Sequence, residues 1–141
     1  MKYIHDLKNF PELFEKLTYE TEKFGASYTA MLFEVQDELL FNTFWEFLLH
    51  YLRISDTVYK YSDTKYLVVL ADTSVRGGLL LNEKLREKIK EKWFKYKYFC
   101  GLTQWDFIEN HKSLEKALKK RLKIARESKA KEAIYSLSSI D

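Results

Sequence analysis

The sequence is poor in the residues that make a chain flexible, crosslinked or membrane-bound. Its 141 residues include one proline and four glycines, so flexible linkers are nearly absent. The lone cysteine, Cys100, cannot close an intrachain disulfide and has no second thiolate for a cysteine-based metal site. The three histidines, His5, His50 and His111, lie far apart and lack metal-ligand spacing. No apolar run approaches the ~20 residues needed to span a bilayer. The N-terminal MKYIHDLKNF has no apolar core of signal-peptide length. Together these absences predict a reducing, cytoplasmic location. Gln is also rare while Lys and Glu are abundant, a bias resembling that of hyperthermophile proteins.

What is present is a globular composition. Hydrophobic residues make up 46% and charged residues 32%, the balance of a folded, water-facing chain. The length fits one core, and residues 1–141 read as a single domain. Lys and Arg number 24 against 21 Asp and Glu, a formal net charge of +3. So mild an excess does not imply a nucleic-acid partner.

The apolar spacing sets out the elements. Leu13, Phe14, Leu17 and Phe24 predict a first helix over 11–24, with Pro11 in its first turn and Gly25 at its end. Residues 27–35 read as a buried strand, and 38–54 as a helix carrying Leu40, Phe44, Phe47, Leu48, Tyr51 and Leu52. Thr57–Tyr61 and Lys65–Ala71 are strand-like runs flanking a polar link, Ser62, Asp63 and Thr64, which predicts a hairpin. Thr73 or Ser74 can cap a long helix to about Trp93, whose apolar face holds Leu80, Leu81, Leu85 and Ile89. Tyr96–Thr103 reads as a strand and 104–111 as a loop. Ser113 is a candidate cap for a last helix to about Lys129, and Ala133–Leu137 reads as a final strand. The expected class is therefore α+β. A ferredoxin-like or palm βαββαβ core gives a mainly antiparallel sheet with helices on one face, plus an extra N-terminal helix and a C-terminal helix and strand.

Residues 53–71, RISDTVYKYSDTKYLVVLA, resemble the centre of a diguanylate cyclase (GGDEF) domain. In that family an Arg-x-x-Asp precedes a strand, a hairpin bearing Gly-Gly-Asp-Glu-Phe, and an apolar strand. Arg53 and Asp56 match the first motif, and the pentapeptide position reads Ser62, Asp63, Thr64, Lys65, Tyr66. LKNFP near the start, NEKLREKI after the hairpin, FCGLT at 99–103 and LKIARESKA at 122–130 are similar to family segments in the same order. The resemblance covers nearly the whole chain and implies a bacterial signalling domain.

It also implies what has been lost. Joining two GTP molecules requires carboxylates that hold divalent metal, because hard cations take oxygen ligands. Glu34 is a residual acid at the family metal position. The hairpin acids are replaced by Thr64 and Lys65, and both glycines by Ser62 and Asp63. Lys65 puts a positive charge where a cation should sit. The family's Phe-Lys-x-x-Asn-Asp and glycine-rich stretch is also shortened. Asp37 and Asn42 remain polar there, with nothing to place them on a guanine. The expectation is a degenerate domain with no catalytic residues, no metal and no cofactor.

The surviving motif implies a ligand. In the family Arg-x-x-Asp is the inhibitory product site, since Arg can donate to guanine O6 and N7 and a carboxylate can accept from guanine N–H groups. Lys84 falls at the position of its cationic partner, with Arg86 nearby. A cyclic di-GMP site at Arg53, Asp56 and Lys84 is one expectation. The plainer one is that Arg53 ends a helix and Asp56 caps a turn.

Other features have plain readings too. Trp93, Phe94, Tyr96, Tyr98 and Phe99 with Lys95 and Lys97 could stack bases, but an alternating strand with one core face gives the same pattern. The basic run 119–126 could meet phosphates or an anionic surface, though it also suits a solvated helix face. Phe41, Phe44, Trp45 and Phe47 are wide for one helix face, and some could form a homodimer or partner-protein surface. Three functions follow: an inactive receptor or adaptor, a structural pairing module, or another palm-type nucleotide enzyme. The last needs a second acid beside Glu34, and Asp63 is one residue out of place for it.

Overall fold

The computed structural model describes residues 3–92, 98–105 and 110–127, and the backbone of 134–137. The chain runs β1 (Ile4–Asp6), α1 (Phe10–Phe24), β2 (Tyr28–Val35), α2 (Phe41–Tyr51), β3 (Thr57–Ser62), β4 (Lys65–Ala71), α3 (Val75–Lys92), β5 (Tyr98–Gln104), α4 (His111–Glu127) and β6 (Ile134–Leu137). Short 3-10 turns precede α1 and α2. Among the described residues no helix is long and apolar enough to cross a membrane.

The six strands lie in the order β1-β3-β4-β2-β5-β6. The four central strands are antiparallel, and the two edge strands join in parallel. The ferredoxin-like core is therefore present, as the element order predicts. β1 is an addition the sequence reading misses, because three residues are too few to show a period.

Both faces of the sheet are covered: the core helices take one face, as expected, and the extra helices take the other. Successive strand residues point to opposite faces, so an unbroken apolar strand must bury both. Met31, Phe33 and Val35 of β2 pack with Phe44 and Leu48 of α2 and Leu85 and Ile89 of α3. Ala30 and Leu32 turn the other way, onto Phe14 and Leu17 of α1 and Leu114, Leu118 and Leu122 of α4. The core helices α2 and α3 do share one face; the flanking helices α1 and α4 take the other.

Local signals are mostly where the sequence places them. Gly25 closes α1 in the left-handed region at φ 67°. Ser74 caps α3, its Oγ accepting from Gly77 N at 3.4 Å. At α4 the cap is Asn110 and not Ser113: Asn110 Oδ1 accepts from Ser113 N at 2.9 Å. The helix thus starts one turn earlier than the sequence suggests. Much of the wide aromatic set on α2 is absorbed by the core, with Phe41 and Phe44 buried and Trp45 and Phe47 packed against it.

Gly101 of β5 lets sheet and helix approach closely. A Cβ there would lie 2.7 Å from Leu122 N and 2.8 Å from Leu118 O, both backbone atoms of α4. A helix backbone cannot yield locally without losing its own hydrogen bonds. Gly101→Ala is expected to lift α4 from the sheet and cost about 2–3 kcal/mol in urea unfolding. Stability within about 0.5 kcal/mol of the parent would show that α4 does not rest on β5 in this way.

Candidate functional site

The hairpin between β3 and β4 carries the signature positions. Ser62 pairs with Lys65 across the turn, after a register shift between Lys60 and Ser62. Thr64 N donates to Ser62 Oγ at 3.3 Å, and Thr64 O accepts from Val35 N at 2.9 Å. The tip is thereby fixed to the end of β2. Asp63 points outward and pairs with Lys60 at 3.2 Å, both well exposed. Tyr66 is fully buried; its ring stacks on Phe41 with centroids 3.9 Å apart, and its hydroxyl donates to Phe41 O. The aromatic at the last signature position is thus a core residue.

Glu34 ends up among cations. It lies directly opposite Lys65 in the β2–β4 register. Lys65 Nζ is 3.6 Å from Glu34 Oε2. Arg126, in the last turn of α4, places Nη1 3.0 Å from Oε1 and 3.2 Å from Oε2. Parity explains the meeting: residues 30, 32 and 34 share the face that α4 covers. The Glu34 side chain is only 14% exposed, so its charge is largely removed from water and needs close counterions. A divalent ion does not fit this group. One carboxylate with an ammonium and a guanidinium beside it offers too few oxygens and the wrong sign of surrounding charge. Among the described residues, no cluster of three or more His, Cys, Asp or Glu could hold a metal.

An open cleft of about 610 Å³ adjoins the hairpin, lined by His5, Asp6, Glu38, Asn42, Lys60 and Asp63 among others. Asn42 and Lys60 therefore reach one cavity, while Glu34 is not part of its lining. Asp37 caps the 3-10 turn before α2, accepting from Leu40 N at 3.2 Å.

Arg53 and Asp56 meet directly and form a clasp. The Asp56 carboxylate is buried, with 1% of its side chain exposed. It accepts from Arg53 N at 2.8 Å, Ala71 N at 3.0 Å and Arg53 Nη2 at 3.3 Å. The same Nη2 donates to Ala71 O and to Thr73 Oγ1, the latter at 2.7 Å. The loop after α2 is thus bound to the end of β4. Thr73 is the residue the sequence reading underrates. Its N donates to Ser27 O at 3.2 Å, its O accepts from Thr29 Oγ1 at 2.7 Å, and its hydroxyl donates to Ala71 O at 2.7 Å. Gly77 makes room for it: a Cβ there would meet Thr73 Cγ2 at 2.6 Å. Lys84 is exposed on α3, and among the described residues no hydrogen bond or ion pair joins it to the clasp.

The remaining candidates disperse. His5 is half-buried on β1 with its ring 5.4 Å from that of Tyr59, His50 is exposed on α2, and His111 contacts Glu115 at 3.1 Å. Tyr98 is buried against α2 and α3, while Phe99 packs on the opposite face. Trp93, Phe94, Lys95, Tyr96 and Lys97 lie outside the described residues. Burial and the Glu20 carboxylate, which accepts from its hydroxyl, push the Tyr28 phenol up to about 12, so it remains a donor at neutral pH. Burial alone drives the Cys100 thiol upward, so it is no nucleophile.

A mixed sheet with helices on both faces and a polar hairpin at one end places the chain among palm-type α+β domains. More specifically, it has the fold of GGDEF diguanylate cyclase domains. The GGDEF domain of DgcB from Caulobacter crescentus, solved with c-di-GMP, superposes with a TM-score of 0.77 over 96% of this chain and 89% of its own, at 9% identity. The active GGEEF domain of a Vibrio cholerae diguanylate cyclase gives 0.80 over 96% and 100%, at 11% identity. The GGDEF domain of PA1120 from Pseudomonas aeruginosa gives 0.80 over 98% and 100%, at 10% identity. No family model matches the sequence, and no curated protein matches it.

Asp56→Ala is expected to orphan two backbone N–H groups and cost about 2–4 kcal/mol in urea unfolding. Arg53→Ala should cost less, about 1–2 kcal/mol, because Asp56 loses its counterion but keeps both backbone donors. Equal losses for the two variants would contradict a clasp centred on the carboxylate.

Proposed function

We propose that this chain is a catalytically silent signalling domain on the GGDEF fold, a regulatory adaptor of the cytoplasm and not a cyclase. The observation that supports this reading is the grouping of Glu34 with Lys65 and Arg126. The acid that a metal-dependent cyclase would turn to its metal is neutralised by two side chains of the protein. A carboxylate so engaged lacks the charge to recruit Mg²⁺, and Lys65 repels an incoming cation. With Thr64 and Lys65 in the hairpin, no second carboxylate joins Glu34 in a metal-binding group among the described residues.

A second reading makes the domain a receptor for cyclic di-GMP at Arg53, Asp56 and Lys84. Arg53 favours it, with 54% of its side chain exposed at the surface, and so does the dinucleotide reported with the DgcB domain. Binding there would need guanine to replace Ala71 O and Thr73 Oγ1 as partners of the guanidinium. Asp56 would stay turned into its loop.

Incubated with GTP and Mg²⁺ or Mn²⁺, the chain should give no cyclic di-GMP or pyrophosphate above a protein-free control by chromatography. Product formation that Glu34→Gln abolishes would overturn the first reading. Calorimetry with cyclic di-GMP decides the second: heat that Arg53→Ala removes would establish the receptor, and no heat at micromolar concentrations would discard it.

A further inference from the structure

Of the four described α-helices, α4 carries the largest excess of basic over acidic residues. The helix His111–Glu127 carries Lys112, Lys116, Lys119, Lys120, Arg121, Lys123 and Arg126 against only Glu115 and Glu127. Its apolar residues Leu114, Leu118, Leu122 and Ala125 are buried against the sheet, which leaves the cations outside. Two of the seven are held inward: Arg126 is paired with Glu34, and Arg121 is buried. Lys119 leans on Tyr61, its ammonium 5.3 Å from the ring centroid. The remaining four, Lys112, Lys116, Lys120 and Lys123, are exposed and make no ion pair with any described residue.

Their spacing is i, i+4, i+8 and i+11, which puts them in one row along the helix. At about 1.5 Å per residue the row is roughly 16 Å long and one side chain wide. Four unpaired like charges so close repel one another, and neighbours at i, i+4 cost a few tenths of a kcal/mol each. An anionic partner laid along the row would relieve that repulsion.

The shape of the row narrows the partner. α1 runs beside α4, with His111 in edge contact with Phe10 and Phe14. The exposed face of α1 presents Glu12, Glu15 and Glu22 against Lys16 and Lys23. A broad anionic plane laid on this side would meet those acids as well as the lysines. A narrow anion lying along α4 would meet the lysines alone. No large apolar side chain is exposed on α4, and the exposed Tyr19 and Phe24 belong to α1, so the row itself offers neither an anchor for a bilayer nor a platform for stacked bases. A partner helix with carboxylates at the same spacing matches the row charge for charge.

We propose that the lysine row of α4, Lys112, Lys116, Lys120 and Lys123, is a docking surface for an acidic helix of a partner protein. The interaction is electrostatic, reversible and steered. It is independent of whether the domain turns over GTP or binds a dinucleotide, because none of the four lysines lines the hairpin cleft or bonds to Arg53 or Asp56.

The test uses the whole chain and a fluorescent helical peptide of roughly 16 residues, with Glu at i, i+4, i+8 and i+11 on an alanine-rich frame. Fluorescence anisotropy at about 50 mM salt should show saturable binding that weakens at least about tenfold by 300 mM. The combined variant K112E/K116E/K120E/K123E should lose at least about tenfold in affinity with its thermal midpoint nearly unchanged, since all four side chains are in solvent. Reversing Lys16 and Lys23 on α1 should leave binding intact. A single-stranded oligonucleotide and phosphatidylserine vesicles are run in parallel. Tighter binding to either, no binding to the peptide, or equal loss from the α1 reversal would each overturn the proposal.

Discussion

The fold depends on a strand that has no solvent face. β2 is flanked by β4 and β5, and seven of its eight residues are buried. Its alternation loads two separate cores, one under α2 and α3 and one under α1 and α4. Glu34 is the exception: a charge near the end of a strand otherwise taken out of water. Such a charge requires partners at contact distance, because desolvation would otherwise cost several kcal/mol. Lys65 across the ladder and Arg126 at the end of α4 supply them. The ion group therefore ties together the hairpin, the central strand and the last helix.

On the proposed reading, this arrangement separates the architecture of the GGDEF fold from its chemistry. The backbone plan follows from hydrophobic alternation and close packing, and Gly101 and Tyr66 take part in that plan whatever the domain does. Catalysis would rest on a few polar positions at the hairpin and the end of β2. Those positions can change charge without disturbing the cores, since Asp63 is exposed and Lys65 finds a partner in Glu34. The Arg53–Asp56 pair takes a similar course. Its carboxylate satisfies two backbone donors, which gives the motif a structural use that needs no ligand.

Much of this was legible in the sequence, and the reasons are physical. The apolar run at 66–70 and the helical spacing along 75–92 are long enough to specify their elements. The order of elements then gives the ferredoxin-like core. The second covered face was harder to see. Residues 28–35 are apolar on both sides, and an unbroken apolar strand does not say which helices will cover it. β1 was too short to declare itself. The cap of α4 was misread because Asn110 and Ser113 are both good caps, and only packing decides between them. Among site residues, Arg53, Asp56, Glu34 and Lys65 were visible through motif spacing. Arg126 and Thr73 were not, since one comes from a helix far along the chain and the other acts largely through its backbone. The lysine row was visible only as a basic run; the helix geometry turned it into a line.

The account stands on the claim that Glu34 already has its counterions within the protein. The most direct measurement is a crystal of the chain grown with Mn²⁺ and a non-hydrolysable GTP analogue, with anomalous diffraction recorded at the manganese edge. The account predicts no anomalous peak at Glu34, and Lys65 and Arg126 still within ion-pair distance of its carboxylate. A manganese peak at about 2.2 Å from a Glu34 oxygen, with Lys65 swung away, would contradict it.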